Sequence, residues 1–145
     1  MKRSIIYVAG SYRSKYGYMG VMWNIFKARK VAIKLAKQGY CCFIPHQNWA
    51  FMKANKDDEF WLECGLKILR HCSAIYMMKG WRKSVGSVDE IWHAQQRGLK
   101  VMYEDESDKQ IEDNRKELET PQLVKFFLGT EAPYKVEGKE NENLP

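Results

Sequence analysis

Short apolar runs that alternate with helix-period segments constrain this chain more than any other feature. Residues 4–9 (SIIYVA) are β-branched and aromatic and stop at Gly10, so they read as a strand. Residues 10–20, rich in Gly, Ser and Tyr, read as a loop. Over 21–38 the apolar positions Val21, Ile25, Ala28, Ala32 and Leu35 recur at steps of four and three. That spacing is one face of a helix, closed by Gly39. Residues 40–44 form a second apolar run before Pro45, and 46–56 read as a loop. Asp57, Asp58 and Glu59 then place acids where a helix to His71 would begin, which suits its dipole. Residues 74–78 are a third strand, 80–86 a loop, 87–97 a helix ending at Gly98, and 99–103 a fourth strand. The order β-α-β-α-β-α-β, with apolar strands, demands a parallel sheet covered by helices on both faces. Right-handed crossovers make it a doubly wound α/β sheet of four to five strands, flavodoxin-like or Rossmann-like.

The segment 1–104 is expected to form this α/β domain. After Tyr103 the character changes: 105–129 read as a charged helical extension, with Thr120-Pro121 as a helix start. Residues 130–145 read as a polar, disordered tail. Charge divides the same way. Residues 1–103 carry 18 Lys and Arg against 6 Asp and Glu, whereas 104–145 carry 6 against 12. A basic body suits an anionic ligand such as a nucleotide, a phosphate ester or nucleic acid, and equally describes a solvated face. The apolar runs are too short to span a bilayer, and Met1-Lys2-Arg3 leads straight into a strand without a secretory pattern. A cytoplasmic protein, of a host or a virus, is expected. Adjacent Cys41 and Cys42, distant Cys64 and Cys72, and scattered His46, His71 and His93 contain no CxxC pair. They read as reduced thiols and ordinary histidines, with no metal or cofactor expected.

In an open parallel sheet, ligands bind beyond the carboxyl ends of the strands. Two segments fall there, Gly10-Ser11-Tyr12-Arg13-Ser14 and Gly80-Trp81-Arg82-Lys83-Ser84-Val85-Gly86-Ser87. Small residues let backbone approach an anion, and hydroxyls and guanidinium bond phosphate oxygens. A helix beginning near Ser87 adds free N–H groups. Neither segment is a Walker loop or GxGxxG, so ATPase and dehydrogenase readings lack their fingerprints. Glu90 has two readings. Ser87-Val88-Asp89-Glu90 is a capping box by pattern, with Glu90 bonded back to the Ser87 N–H. Alternatively, its carboxylate stands beside the anion pocket and attacks a sugar carbon or stabilises an oxocarbenium ion.

These residues carry a resemblance. Tyr7-Val8-Ala9-Gly10-Ser11-Tyr12-Arg13 resembles the opening Y-x-A-G-P/S motif of the nucleoside 2-deoxyribosyltransferase-like superfamily. The strand at 74–78, followed by Ser84, Gly86, Glu90 and Ala94, resembles its second motif. Gly80-Trp81 before that Ser is most similar to the DUF4406 branch, common in phages and bacteria, and the likeness covers residues 4–103. The resemblance implies a Rossmann-like domain, often dimeric, that cleaves or transfers at an N-glycosidic bond. It implies Glu90 as nucleophile on C1′, with Tyr7 orienting it. From the more distant nucleotide N-hydrolases it implies Gly10, Ser11, Arg13, Ser84 and Gly86 as 5′-phosphate contacts, with Ser87 and Trp81 in the same segment as further substrate contacts. The chain departs from the pattern at Cys72-Ser73-Ala74, where relatives carry C-D-A, and at Gly65, where they carry an Asp. His46, Gln47 and Asn48 offer substitutes for base recognition, His46 foremost, and otherwise cap a loop.

Three readings follow from the sequence. The first is an N-glycosidase or deoxyribosyltransferase acting on a nucleotide or nucleoside. The second is a non-catalytic binder, a sensor or sponge for a nucleotide-derived ligand. The third is a nucleic-acid accessory protein, motivated by the basic body and five Trp. It is weakened because Trp61 and Trp92 fall on helices, where aromatics serve the core. A homo-oligomer is expected, and no membrane partner.

Overall fold

The computed structural model describes residues 4–52, 54–105 and 110. In chain order it contains β1 (Ile5–Ala9), α1 (Gly17–Lys37), β2 (Cys41–Phe43), α2 (Pro45–Asn48) and α3 (Asp58–Leu69). Then come β3 (Ala74–Met77), a 3-10 turn (Trp81–Lys83), α4 (Val85–Gln96) and β4 (Lys100–Tyr103). The four strands lie in the order β2-β1-β3-β4, and every neighbouring pair is parallel. This is the expected doubly wound α/β sheet. The chain leaves β1 toward β2 and returns on the other side to β3, so β1 and β3 flank the topological switch point where ligands enter such sheets.

Strand alternation sorts the core into two layers. Ile6, Val8, Ala74, Tyr76 and Met102 face α1 and pack on Ala28, Val31 and Leu35. Tyr7, Ala9, Ile75 and Met77 face the opposite way, toward Leu69 of α3 and Ile91 and Ala94 of α4. Both faces of β1 and β3 are therefore covered, which is why those strands are apolar without interruption. At about 25 cal/mol per Å² of apolar surface, burial of this kind is what offsets the entropy of ordering the chain.

Local boundaries differ from the sequence expectation at three places. The first helix starts at Gly17 rather than 21. Its opening residues Tyr18 and Met19 are exposed, so they contribute nothing to the apolar period. Residues 45–48, expected as loop, form α2, with Pro45 supplying a pre-set φ at its first turn. The last helix starts at Val85 rather than 87, because Ser84, not Ser87, is its cap. The expected extension and tail lie outside the described residues, apart from Asp105 and Gln110. Among the described residues no helix is long and apolar enough to cross a membrane.

Candidate active site

Tyr7 is the middle residue of β1 and is fully buried on the α3/α4 side. A phenol taken that far from water needs a hydrogen-bond partner. It finds one on α4: the Tyr7 hydroxyl donates to Glu90 Oε1 at 2.7 Å. The two residues are 83 apart in sequence, and parallel pairing of β1 with β3 brings α4 over β1.

The capping box expected at Ser87-Val88-Asp89-Glu90 does not form. The Ser84 hydroxyl accepts the Ser87 N–H at 3.3 Å, so that N–H is already satisfied one turn earlier. Glu90 thus sits at the second turn of α4 and turns its carboxyl inward to Tyr7. Ser87 is itself buried, and its hydroxyl oxygen has no hydrogen-bond partner among the described residues.

Electrostatics follow from this placement. Burial pushes the Glu90 carboxyl up to about 7; the neighbouring Asp89 charge adds to the rise, while the Tyr7 hydrogen bond opposes it. The Tyr7 phenol is driven far above its ordinary range, first by burial and then by the Glu90 charge. Tyr7 therefore remains a neutral donor at every physiological pH, and Glu90 changes charge near neutrality. A carboxyl poised in that way can serve as nucleophile, base or acid.

Gly65 of α3 explains how the helix comes so close. A Cβ there would stand 2.5 Å from the Tyr7 hydroxyl and 3.6 Å from two ring carbons of Trp49. The missing side chain is the space into which the phenol reaches. Trp49 extends an aromatic row outward: Tyr7 packs on Phe43 (5.7 Å between centroids), Phe43 on Trp49 (5.9 Å), and Trp49 on Trp61 of α3 (5.6 Å).

The loop after β1 is held by two buried polar side chains. His46 of α2 lies 2.7 Å by its Nε2 from the Gly10 carbonyl, which only an Nε2–H tautomer can satisfy. Burial lowers its pKa against the opposing effect of the loop backbone, so the ring is neutral, and its Nδ1 has no partner among the described residues. Asn24 of α1 donates through Nδ2 to the carbonyls of Tyr12 (3.1 Å) and Arg13 (3.2 Å). Gly10 itself is demanded by packing, since a Cβ would fall 2.8 Å from the Met78 sulfur and 3.0 Å from its Cβ.

The expected site residues are thus distributed unevenly. Tyr7 and Glu90 are brought into contact. Ser84, Gly86 and Ser87 share the start of α4; a Cβ at Gly86 would meet no atom closer than 3.9 Å, so packing does not require that glycine. His46 anchors the first loop from behind. Ser11 is partly exposed, and the exposed Arg13 guanidinium pairs with Asp58 at the start of α3. Trp81 is half-buried against the α3/α4 core layer, with the Arg82 guanidinium 4.5 Å over its ring. The sequence reading passed over Asn24 and Trp49. Asn24 had a visible signal: it falls in step with Ala28, Val31 and Leu35, a polar residue on an otherwise apolar stripe. Among the described residues no group of three or more His, Cys, Asp or Glu is placed to hold a metal.

Comparison with known proteins agrees with this architecture. No curated protein sequence matches the chain. Six solved chains match it. One belongs to work on a 2-deoxyribosyltransferase from the psychrotolerant bacterium Bacillus psychrosaccharolyticus. It is 17% identical with a TM-score of 0.52, over 76% of this chain and 81% of that one. At that identity the likeness is one of fold. The family model described as "Domain of unknown function (DUF4406)" matches residues 5–103, a span that runs from β1 to the end of β4 and includes both Tyr7 and Glu90, and the chain belongs to that family.

Proposed function

We propose that this protein is an N-glycosidase or 2-deoxyribosyltransferase-like enzyme acting on a nucleotide or nucleoside, with Glu90 as the nucleophile. The observation that carries the reading is the 2.7 Å hydrogen bond from Tyr7 to Glu90, formed beside the switch point of the sheet. It leaves Glu90 without a role in capping α4. In the proposed reaction one Glu90 oxygen attacks C1′ of the sugar as the bond to the base breaks. The base leaves with the bonding electrons and gains a proton from solvent, and a glycosyl ester forms on Glu90. Water, or a second base, then attacks C1′ and releases the carboxylate. Tyr7 fixes one oxygen of Glu90 and favours its ionised form, leaving the other free to react. Ser84 and the start of α4 flank the place where the sugar would lie. The fold likeness to a solved 2-deoxyribosyltransferase supports the choice of reaction class.

A second reading is favoured by one observation. Gly65 and Ser73 stand where relatives of this fold carry Asp, so those two positions supply no carboxylate to assist the departing base. On that reading the protein binds a nucleotide-derived ligand without turning it over. One experiment separates the two: base release from a panel of 2′-deoxynucleosides and their 5′-monophosphates, at high enzyme, with Glu90→Ala as control. Release that depends on Glu90 establishes the enzyme. Ligand-induced thermal stabilisation without any free base establishes the binder.

A further inference from the structure

The loop between β1 and α1 has its carbonyl groups tied down on one side. His46 takes the Gly10 carbonyl, and Asn24 takes those of Tyr12 and Arg13. A trans peptide is planar, with its N–H antiparallel to its C=O. Each tied carbonyl therefore sends the next N–H the opposite way. The Gly10 carbonyl fixes the Ser11 N–H, the Tyr12 carbonyl that of Arg13, and the Arg13 carbonyl that of Ser14. All three point away from α1 and α2. Among the described residues, no hydrogen bond from any of these three amides to another residue is formed. The one guanidinium of the loop, on Arg13, is already paired with Asp58.

We propose that Asn24 is a positioning residue for substrate binding: with His46 it turns the Ser11, Arg13 and Ser14 amides outward as a cradle for a phosphate monoester, so that backbone amides rather than the Arg13 side chain hold the anion. Successive N–H groups converging on one side of a loop form an anion-binding concavity. The cradle follows β1 directly and so lies at the carboxyl end of the strand that carries Tyr7. A phosphate there belongs to the ligand whose sugar reaches Glu90; in this respect the inference rests on the reading of function above. It adds that the preferred ligand carries a 5′-phosphate, and it names the side chain, remote from the ligand, that makes the preference.

The test compares a 2′-deoxynucleoside 5′-monophosphate with the matching nucleoside. Binding is measured by calorimetry in the Glu90→Gln background, where turnover does not intervene. The parent should bind the monophosphate at least about tenfold more tightly, as two or more charge-assisted hydrogen bonds require. Adding Asn24→Leu should bring the two affinities within about twofold of each other while leaving nucleoside affinity in place, since only the phosphate contacts are lost. Equal loss for both ligands would mark Asn24 as merely structural and overturn the proposal. So would a phosphate preference that survives Asn24→Leu but disappears in Arg13→Ala. The unmodified chain supplies a second measurement that needs no buried substitution. The amide NMR signals of Ser11, Arg13 and Ser14 should shift with the monophosphate and not with the nucleoside, and unmoved signals would overturn the cradle. Should neither ligand bind, the nucleotide reading itself fails. Titration with inorganic phosphate alone then decides the cradle: shifts at the three amides uphold it, and their absence overturns it.

Discussion

The two loops that flank the switch point are built in opposite ways. The loop after β1 is held from outside, by Asn24 from α1 and His46 from α2, both buried and both bonded to its carbonyls. The segment after β3 is held from within, by its 3-10 turn and by the Ser84 hydroxyl on the Ser87 N–H three residues away. The first arrangement gives a loop whose backbone polarity is set by the core. The second gives a helix start whose position is set by its own sequence, and from that position Glu90 is carried inward to Tyr7. A site assembled this way has one wall that presents backbone and one wall that presents a reactive side chain.

The comparison can be broken most forcefully at the reactive wall. Glu90→Gln should reduce base release by about a thousandfold or more, since an amide is no nucleophile. The same variant should gain stability at alkaline pH. With its folded-state pKa raised to about 7 from 4.5, Glu90 stabilises the fold below pH 4.5, and that contribution is lost as pH rises through 7. By pH 8 the ionised carboxyl costs about 2–3 kcal/mol. Glu90→Gln should therefore raise the melting temperature at pH 8 and scarcely at pH 4.5. A melting temperature that falls at both values would contradict the burial of the charge.

Tyr7→Phe should act on the same group through its partner. It removes the bond that favours the ionised carboxylate, so the acidic limb of the pH–rate profile should move to higher pH. The rate below pH 7 should drop by about ten- to a hundredfold. An unchanged limb would mean that Tyr7 serves packing alone.

The backbone wall is tested by His46→Leu. It leaves the Gly10 carbonyl without its donor, and chemical denaturation should show a loss of about 1–3 kcal/mol. Ser84→Ala, at the self-held loop, removes only a cap and should cost about 1 kcal/mol. The order of these two is the point. If Ser84→Ala were the costlier, the first loop would not depend on the core as described.

The same contrast explains what the sequence disclosed. Strand order and both helical faces were legible because burial on a parallel sheet leaves continuous apolar runs, and because the periods of β1, α1, β3 and α4 do not overlap. Glu90 and Tyr7 stood out through motif spacing. What stayed hidden depends on distant contacts. A capping box at Ser87 and a cap at Ser84 are equally good local patterns, and only the fold decides between them: the buried Tyr7 hydroxyl competes for Glu90 and wins. His46 looked like a ligand contact because it follows a strand, yet its Nε2 faces backbone. Asn24 was a polar residue on an apolar stripe, and its purpose becomes visible once the loop that it holds is in place. Arg13 drew attention as a cation beside small residues, while its partner Asp58 lies 45 positions further on.

Gly65 has a consequence for how this site could change through time. The phenol of Tyr7 occupies the volume where any β-carbon at that position would stand. An acid could return to position 65 only after α3 had moved outward or Tyr7 had been exchanged for something shorter, and either step alone takes the hydroxyl away from Glu90. The arrangement therefore works as a ratchet. Once the helix has closed onto the tyrosine, single substitutions lead away from a second carboxylate rather than back to it, and new chemistry has to be recruited from the aromatic side, around Trp49.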